Sequence, residues 1–191
     1  NVYYNPGSAA INILDIETNN IRKPTSKDLE KFSIIVDSLP YIHAQSTALI
    51  VSDVPEIISD RYRLYIILKN AIKPIITGAF TIDGLHDMVK MLKVVTNNEL
   101  SKKPIAIFDV CPSPPLMWSE ITSQNLIDCA KYMIPAEIVP MPLSGATAPV
   151  TLAGTIVQHT AEALSGIVLS QIVNPGAPII YGGSPAIFEI S

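Results

Sequence analysis

Charge is scarce in this chain. Only 16% of the 191 residues are Asp, Glu, Lys or Arg, and lysine and arginine nowhere form a run. With a net charge of -4 and a pI near 5.3, no basic stripe is left to meet a phosphate backbone, so a nucleic-acid partner is excluded. Cysteine is nearly absent as well. Cys111 and Cys129 are too few for a disulfide scaffold and lack the paired spacing of a zinc site, so reduced thiols in a cytoplasmic protein are expected. The opening residues, NVYYNPGSAA, have neither a basic nor an apolar leader region, so no secretory signal is read there. The one long apolar stretch, Val150 to Val173, is interrupted by Gln158, His159, Glu162 and Gln171, which are costly near a bilayer centre. It reads as a buried core helix, and no membrane partner is expected. No Gly-x-Gly-x-x-Gly turn follows an apolar run, and no metal constellation, catalytic triad or carboxylate pair emerges.

What the chain does have is a repeat of apolar runs and helical patterns, in a composition that is 48% hydrophobic and able to bury a core. Asp28 to Pro40 keeps helical spacing at Leu29, Phe32, Ile35, Val36 and Leu39, and Thr25 with Asp28 resembles a capping box. Thr47 to Val51 reads as a strand. Asp53 reads as the N-cap of a second helix, with Pro55 in its first turn and Ile57, Leu64, Ile67, Leu68 and Ala71 on its apolar face. Pro74 to Thr77 is the next strand, and Thr81 caps a helix carrying Leu85, Met88, Val89, Leu92 and Val95. Pro104 to Phe108 is a third strand, after which Thr122 or Ser123 caps a helix. Ala136 to Val139 is a fourth, Pro149 opens the long helix, Asn174-Pro175-Gly176 stops it, and Pro178 to Tyr181 is a fifth.

Five strands, each but the last followed by a helix, predict an α/β fold with a parallel sheet of (β/α)8 TIM-barrel type. A closed barrel needs eight strands and typically about 250 residues. The chain is therefore read as one partial barrel domain over residues 1–191, covering roughly half to two thirds of a barrel.

In such folds the loops after the strands converge and build the site. Those loops hold Asp53, Thr77, Gly78, Asp109, Cys111, Ser113, Ser144, Gly145, Thr147, Tyr181 and Ser184. Asp53 is also explained as a cap. Asp109 is open between a site residue and a loop-bracing acceptor. Cys111 is a nucleophile or, better, a packed thiol. His43 and His86 suit solvated or capping roles, and His159 with Glu162 shares a helix face and can pair. Ser144-Gly145-Ala146-Thr147 before Pro149 reads as an anion site or only as a cap. The loops Asp109–Pro115, Ser144–Thr147 and Tyr181–Ser184 are expected to share one concavity.

Three segments go further. CPSPPL, then PLSGATAPVTLAG followed by a helix, then NPGAPIIYG, resemble the trimethylamine:corrinoid methyltransferase family, and the stretch AAINILDIETNNIRKPTSKDLEKFSIIVDSLPYIH is similar to it too. The resemblance implies a (β/α)8 barrel that binds a methylated amine and passes a methyl to Co(I) of a corrinoid. Its members serve one-carbon metabolism and methanogenesis. Some carry a pyrrolysine, at a position C-terminal to NPGAPIIYG; others, without it, act on quaternary amines such as glycine betaine. The implied partners are a cognate corrinoid protein that carries the cobalamin, a methylated-amine substrate and a second copy in a homo-oligomer. No cofactor is expected to be tightly bound by this chain.

The substrate-binding residues expected from loop position are Phe80, Asp109, Ser113, Ser144, Gly145, Thr147 and Tyr181, with Tyr181, Phe80 and Asp109 holding the cation. No catalytic residue and no metal ligand is assigned. Family members are far longer, so this chain alone is expected to be inactive. Two alternatives stand beside the enzyme: a non-catalytic barrel segment or homologue with an assembly role, and, on the Ser144–Thr147 loop alone, a phosphate-binding aldolase-type barrel that lacks the strand-end lysine it would need.

Overall fold

The computed structural model describes residues 2–189. The chain divides into two compact units, one ending at Ile107 and the other beginning at Phe108.

The first unit opens with a feature absent from the sequence reading. Strands β1 (Ile13–Leu14) and β2 (Ile21–Arg22) form an antiparallel hairpin. Asp15 shapes the turn by accepting from the amides of Glu17 and Thr18, and Arg22 closes it with a 2.6 Å bond to Asp15. The same guanidinium reaches Asp28, which joins the hairpin to helix α1 (Ser26–Ser38). The expected capping box is present: the Thr25 backbone N–H and hydroxyl both donate to Asp28 at 2.7 Å.

Helix α1 leads to β3 (Gln45–Ser46), then α2 (Glu56–Asn70), β4 (Ile75–Thr77), α3 (Ile82–Val95) and β5 (Ala106–Val110). Thr81 caps α3 as expected, accepting from the Gly84 amide, and Leu85, Met88, Val89 and Leu92 are buried beneath it. Val95, at its last turn, is exposed.

Several expectations are corrected. The first sheet strand is Gln45–Ser46, not Thr47 to Val51. Thr47 still donates to Ile76, but Ala48 to Ile50 pair with Ala10 from the N-terminal segment. An extended apolar run is read correctly as buried, but its backbone partner is chosen by tertiary contact. Asp53 does not cap α2, whose N-cap is Pro55; it accepts from the backbone N–H and hydroxyl of Ser26, so it caps α1 from across the chain. Ile57, placed on the apolar face of α2, is exposed, while Leu64 and Ile67 are buried.

Strand β5 is shifted two residues towards the C-terminus relative to the reading. Pro104 has no N–H for a ladder, and the register runs through Phe108, Asp109 and Val110. Asp109 is consequently a strand residue rather than a loop residue.

In the second unit α4 (Glu120–Tyr132) is capped by Ser119, which accepts from the Thr122 amide; Thr122 and Ser123 lie inside the helix. Then follow β6 (Ala136–Ile138), β7 (Leu143–Ser144), α5 (Leu152–Val173), β8 (Ile179–Tyr181) and β9 (Ala186–Ile187). Thr151 caps α5 through the Gly154 amide, two residues beyond Pro149. The helix stops at Asn174 as read, and Gly176 takes φ +86 in the turn that follows. Strands β7 and β9 form an extra two-stranded parallel pair.

Strands β3, β4, β5, β6 and β8 make a five-stranded parallel sheet whose order follows the sequence. This mixed α/β alternation agrees with the βα repeat. Within the second unit, Phe108, Val110, Ala136 and Ile138 are buried on one sheet face, and Ile138 reaches α5 at Gly166. A Cβ on Gly166 would stand 2.8 Å from both Ile138 and the Trp118 ring, so only glycine lets this helix lie so close. Among the described residues no helix is long and apolar enough to cross a membrane.

Candidate functional site

The second unit gathers its polar side chains at the carboxyl ends of β6 and β8. Strand alternation starts the arrangement. Phe108 and Val110 are buried, so Asp109 between them turns to the other sheet face; Glu137, between Ala136 and Ile138, does the same. The register pairs Asp109 directly with Glu137 on the neighbouring strand, and the two side chains are hydrogen-bonded. A carboxylate pair is thus present where the sequence reading found none.

Burial pushes the Asp109 carboxyl up to about 7, and the Glu137 charge and hydrogen bond push the same way. Two carboxyls this close cannot both ionise cheaply, so near neutral pH they hold a proton between them. Asp109 Oδ1 is buried without a hydrogen-bond partner among the described residues. Cys111 is raised to about 11 by burial and by the charges of Asp109 and Glu137. That environment opposes a thiolate, and a packed thiol is the reading it favours. Both cysteines are free.

Glu137 also lines a concavity of about 530 Å³ with Thr155, Ile156, His159, Tyr181, Gly182, Gly183 and Pro185. Helix α5 supplies His159, whose ring meets Tyr181 edge-on at 5.8 Å between centroids, with the Tyr181 hydroxyl 3.4 Å from Nδ1. His159 Nε2 is buried without a hydrogen-bond partner among the described residues. A Cβ on Gly183 would overlap that nitrogen, and one on Gly182 would lie 2.9 Å from the Ile138 carbonyl and 3.0 Å from Glu137 Oε1. The glycine pair therefore serves to bring the backbone against Glu137 and His159, rather than to leave open space.

The residues singled out by loop position fall in different places. Tyr181 lines the concavity, and Asp109 adjoins it through Glu137. Ser144 bonds Thr155 through its hydroxyl at 2.7 Å, and Thr147 accepts from the Leu143 amide. Gly145 holds φ +89 in the turn between them. These three brace the entry to α5. Ser113 forms reciprocal backbone bonds with Met117. Of the three loops, only Tyr181–Ser184 contributes lining residues to this concavity, through Tyr181, Gly182 and Gly183.

Phe80 lies in the first unit, under the guanidinium of Arg63 at 5.0 Å. His159 and Glu162 share a helix face, but Glu162 accepts from the Leu116 amide and from Gln158, while His159 turns to Tyr181. Among the described residues no group of three His, Cys, Asp or Glu side chains is placed to hold a metal.

Sequence reasoning missed Glu137 and the role of His159. The signal for Glu137 was a lone acid inside Ala136-Glu137-Ile138-Val139, where a buried parallel strand is normally apolar throughout.

The family model described as trimethylamine methyltransferase matches residues 1–190. The chain is similar to trimethylamine methyltransferase MttB of Desulfitobacterium hafniense, 30% identical over 185 residues, covering 94% of this chain and 37% of that protein. It is also similar to MttB of Methanosarcina barkeri, 42% identical over 109 residues, which is 57% of this chain and 22% of the relative. A third relative, the glycine betaine methyltransferase of Desulfitobacterium hafniense, is 28% identical over 193 residues, covering 100% of this chain and 40% of that protein. The chain thus spans about two fifths of the length of the curated relatives it matches from end to end. Three segments read from the sequence, a parallel α/β sheet and a match along residues 1–190 agree: the chain belongs to the trimethylamine methyltransferase family.

Proposed function

We propose that this chain contributes to methyl transfer from a methylated amine, either trimethylamine or a quaternary amine such as glycine betaine, to the Co(I) of a corrinoid carried by a separate protein. The observation that carries the reading is the Asp109–Glu137 carboxyl pair beside Tyr181, in a chain of this family.

The chemistry asks little of the protein. The methyl carbon–nitrogen bond would break with its electron pair staying on nitrogen, so a quaternary amine leaves neutral, as does trimethylamine when it is bound as its trimethylammonium ion, and the Co(I) corrinoid would supply the electron pair for the new bond. Such a reaction needs an oriented cation and excluded water, not a nucleophilic side chain. Asp109 and Glu137 supply the counter-charge, and the Tyr181 ring offers a π face. With one proton held between the two carboxyls, an incoming cation replaces that proton as the neutralising charge. Binding therefore releases a proton and tightens as pH rises through about 7.

The test is titration of this chain with tetramethylammonium and with glycine betaine, followed by ligand NMR from pH 6 to 8. Affinity rises with pH, and Asp109→Asn weakens it by about tenfold, as expected for loss of a partly buried counter-charge. Unchanged affinity in that variant means Asp109 only braces β5, and the reading fails.

A second reading, assembly as a homo-oligomer, is favoured by the outer face of α5. Val157, Leu164, Val168 and Ile172 recur there at helical spacing and are 48–75% exposed. Sedimentation that stays monomeric at high concentration removes it.

A further inference from the structure

The first unit holds a buried cation that methyl transfer does not use. Arg63, on α2, is 1% exposed. Its Nη2 donates to the Thr47 carbonyl and its guanidinium lies over the Phe80 ring. Its Nε and Nη1 are buried with no hydrogen-bond partner among the described residues. Burial pulls Arg63 down to about 10, with Asp60 opposing that shift, so the side chain stays charged at neutral pH.

Asp60 does not bond it: Oδ2 accepts from the Phe80 amide and the Thr81 hydroxyl, and Oδ1 from the Arg61 amide. A buried guanidinium with unused donors and no bonded anion is costly unless something pairs with it.

One helical turn earlier, on the same side of α2, Ser59 is 5% exposed and its hydroxyl also has no hydrogen-bond partner among the described residues. Ser59 and Phe80 line a cavity of about 460 Å³ together with Lys23, Glu56, Ile50 and Val54. The location fits a ligand site. Thr47 and Thr77, with hydroxyls 3.0 Å apart, stand at the carboxyl ends of β3 and β4, where parallel sheets bind their ligands.

We propose that Arg63 and Ser59 form a binding site for a small monocarboxylate, entered from this cavity when the Phe80 ring swings aside. The planar guanidinium matches a carboxylate, and the Ser59 hydroxyl supplies a further donor. Ile50 and Val54 suit a short alkyl part. Lys23 draws an anion to the mouth, while Glu56 there disfavours a dianion such as phosphate. Phe80 is half exposed and so is placed to act as the gate. The inference stands within the first unit and does not rest on the methyl-transfer reading.

The experiment is an amide-shift titration of the isotope-labelled chain with sodium acetate, at ionic strength held constant with sodium chloride. Saturable shifts are expected at Thr47, Ser59 and Phe80, and glycine betaine produces the same shifts whereas tetramethylammonium does not. Tighter binding of betaine than acetate assigns the site to a carboxylated amine; equal binding assigns it to small carboxylates at large, and either supports the site. Ser59→Ala weakens acetate binding by about three- to tenfold, and Phe80→Ala speeds exchange. Arg63→Gln abolishes binding; should that variant fail to fold, the Ser59 and Phe80 variants decide. Acetate shifts no greater than those of chloride, shifts that ignore Ser59→Ala, or saturation by inorganic phosphate but not acetate would overturn it.

Discussion

Replacing Asp109 by Asn should make the second unit more stable at pH 8, by a smaller margin at pH 5, and change little below pH 4. The reason is the direction in which its carboxyl is held. An ordinary Asp ionises near 3.9, whereas Asp109 is pushed up to about 7, first by burial and then by Glu137. Between those values the folded chain carries a proton that the unfolded chain has released. Stability therefore falls as pH rises through this window, and the penalty is complete once pH exceeds the folded value.

A separation of about three pH units corresponds to a ceiling of roughly 4 kcal/mol. Residual solvent contact and sharing of the proton with Glu137 reduce the expected gain to about 2 kcal/mol. Asn keeps the shape, removes the charge and can donate its amide to Glu137. Urea unfolding followed by the fluorescence of Trp118, the single tryptophan, reads this directly. The midpoint should rise by about 1 M at pH 8 for a typical urea slope. A parent chain whose stability is flat between pH 5 and 8, or an Asn variant weaker than the parent at pH 8, would refute the buried-pair argument.

Gly166→Ala should destabilise the second unit by about 1–3 kcal/mol through overpacking, because the new methyl would sit 2.8 Å from Ile138 and the Trp118 ring; a shifted Trp118 emission would report it, and an unchanged spectrum and midpoint would contradict it. Asp53→Ala should cost about 1 kcal/mol as loss of a helix cap, with amide exchange quickening at the start of α1 rather than of α2. The 191-residue chain alone is expected to transfer no methyl from trimethylamine or glycine betaine to a cob(I)alamin acceptor, since its parallel sheet has five strands where a closed (β/α)8 barrel needs eight; measured turnover would show this expectation to be mistaken.

The alternation of apolar runs and helical patterns determined the α/β class, the parallel strands at Ile75–Thr77, Ala136–Ile138 and Ile179–Tyr181, and the caps at Thr25 and Thr81. These depend on spacing along one segment, which periodicity and capping chemistry express locally. The segments CPSPPL, PLSGATAPVTLAG and NPGAPIIYG likewise led to the family without coordinates.

Tertiary structure decided everything that joins residues distant in the chain. Asp53 looked like a cap for the helix that follows it, yet an acceptor serves whichever orphan N–H is nearest in space, and that belongs to Ser26, 27 residues earlier. His159 shares a helix face with Glu162, but its nearest partner in space is Tyr181. Asp109 and Glu137 are separated by a whole helix, and only the β5–β6 register sets their carboxyls side by side. Sequence fixes which groups can ionise; where each ionises depends on burial and on the charges folded against it, and neither exists until the strands have paired.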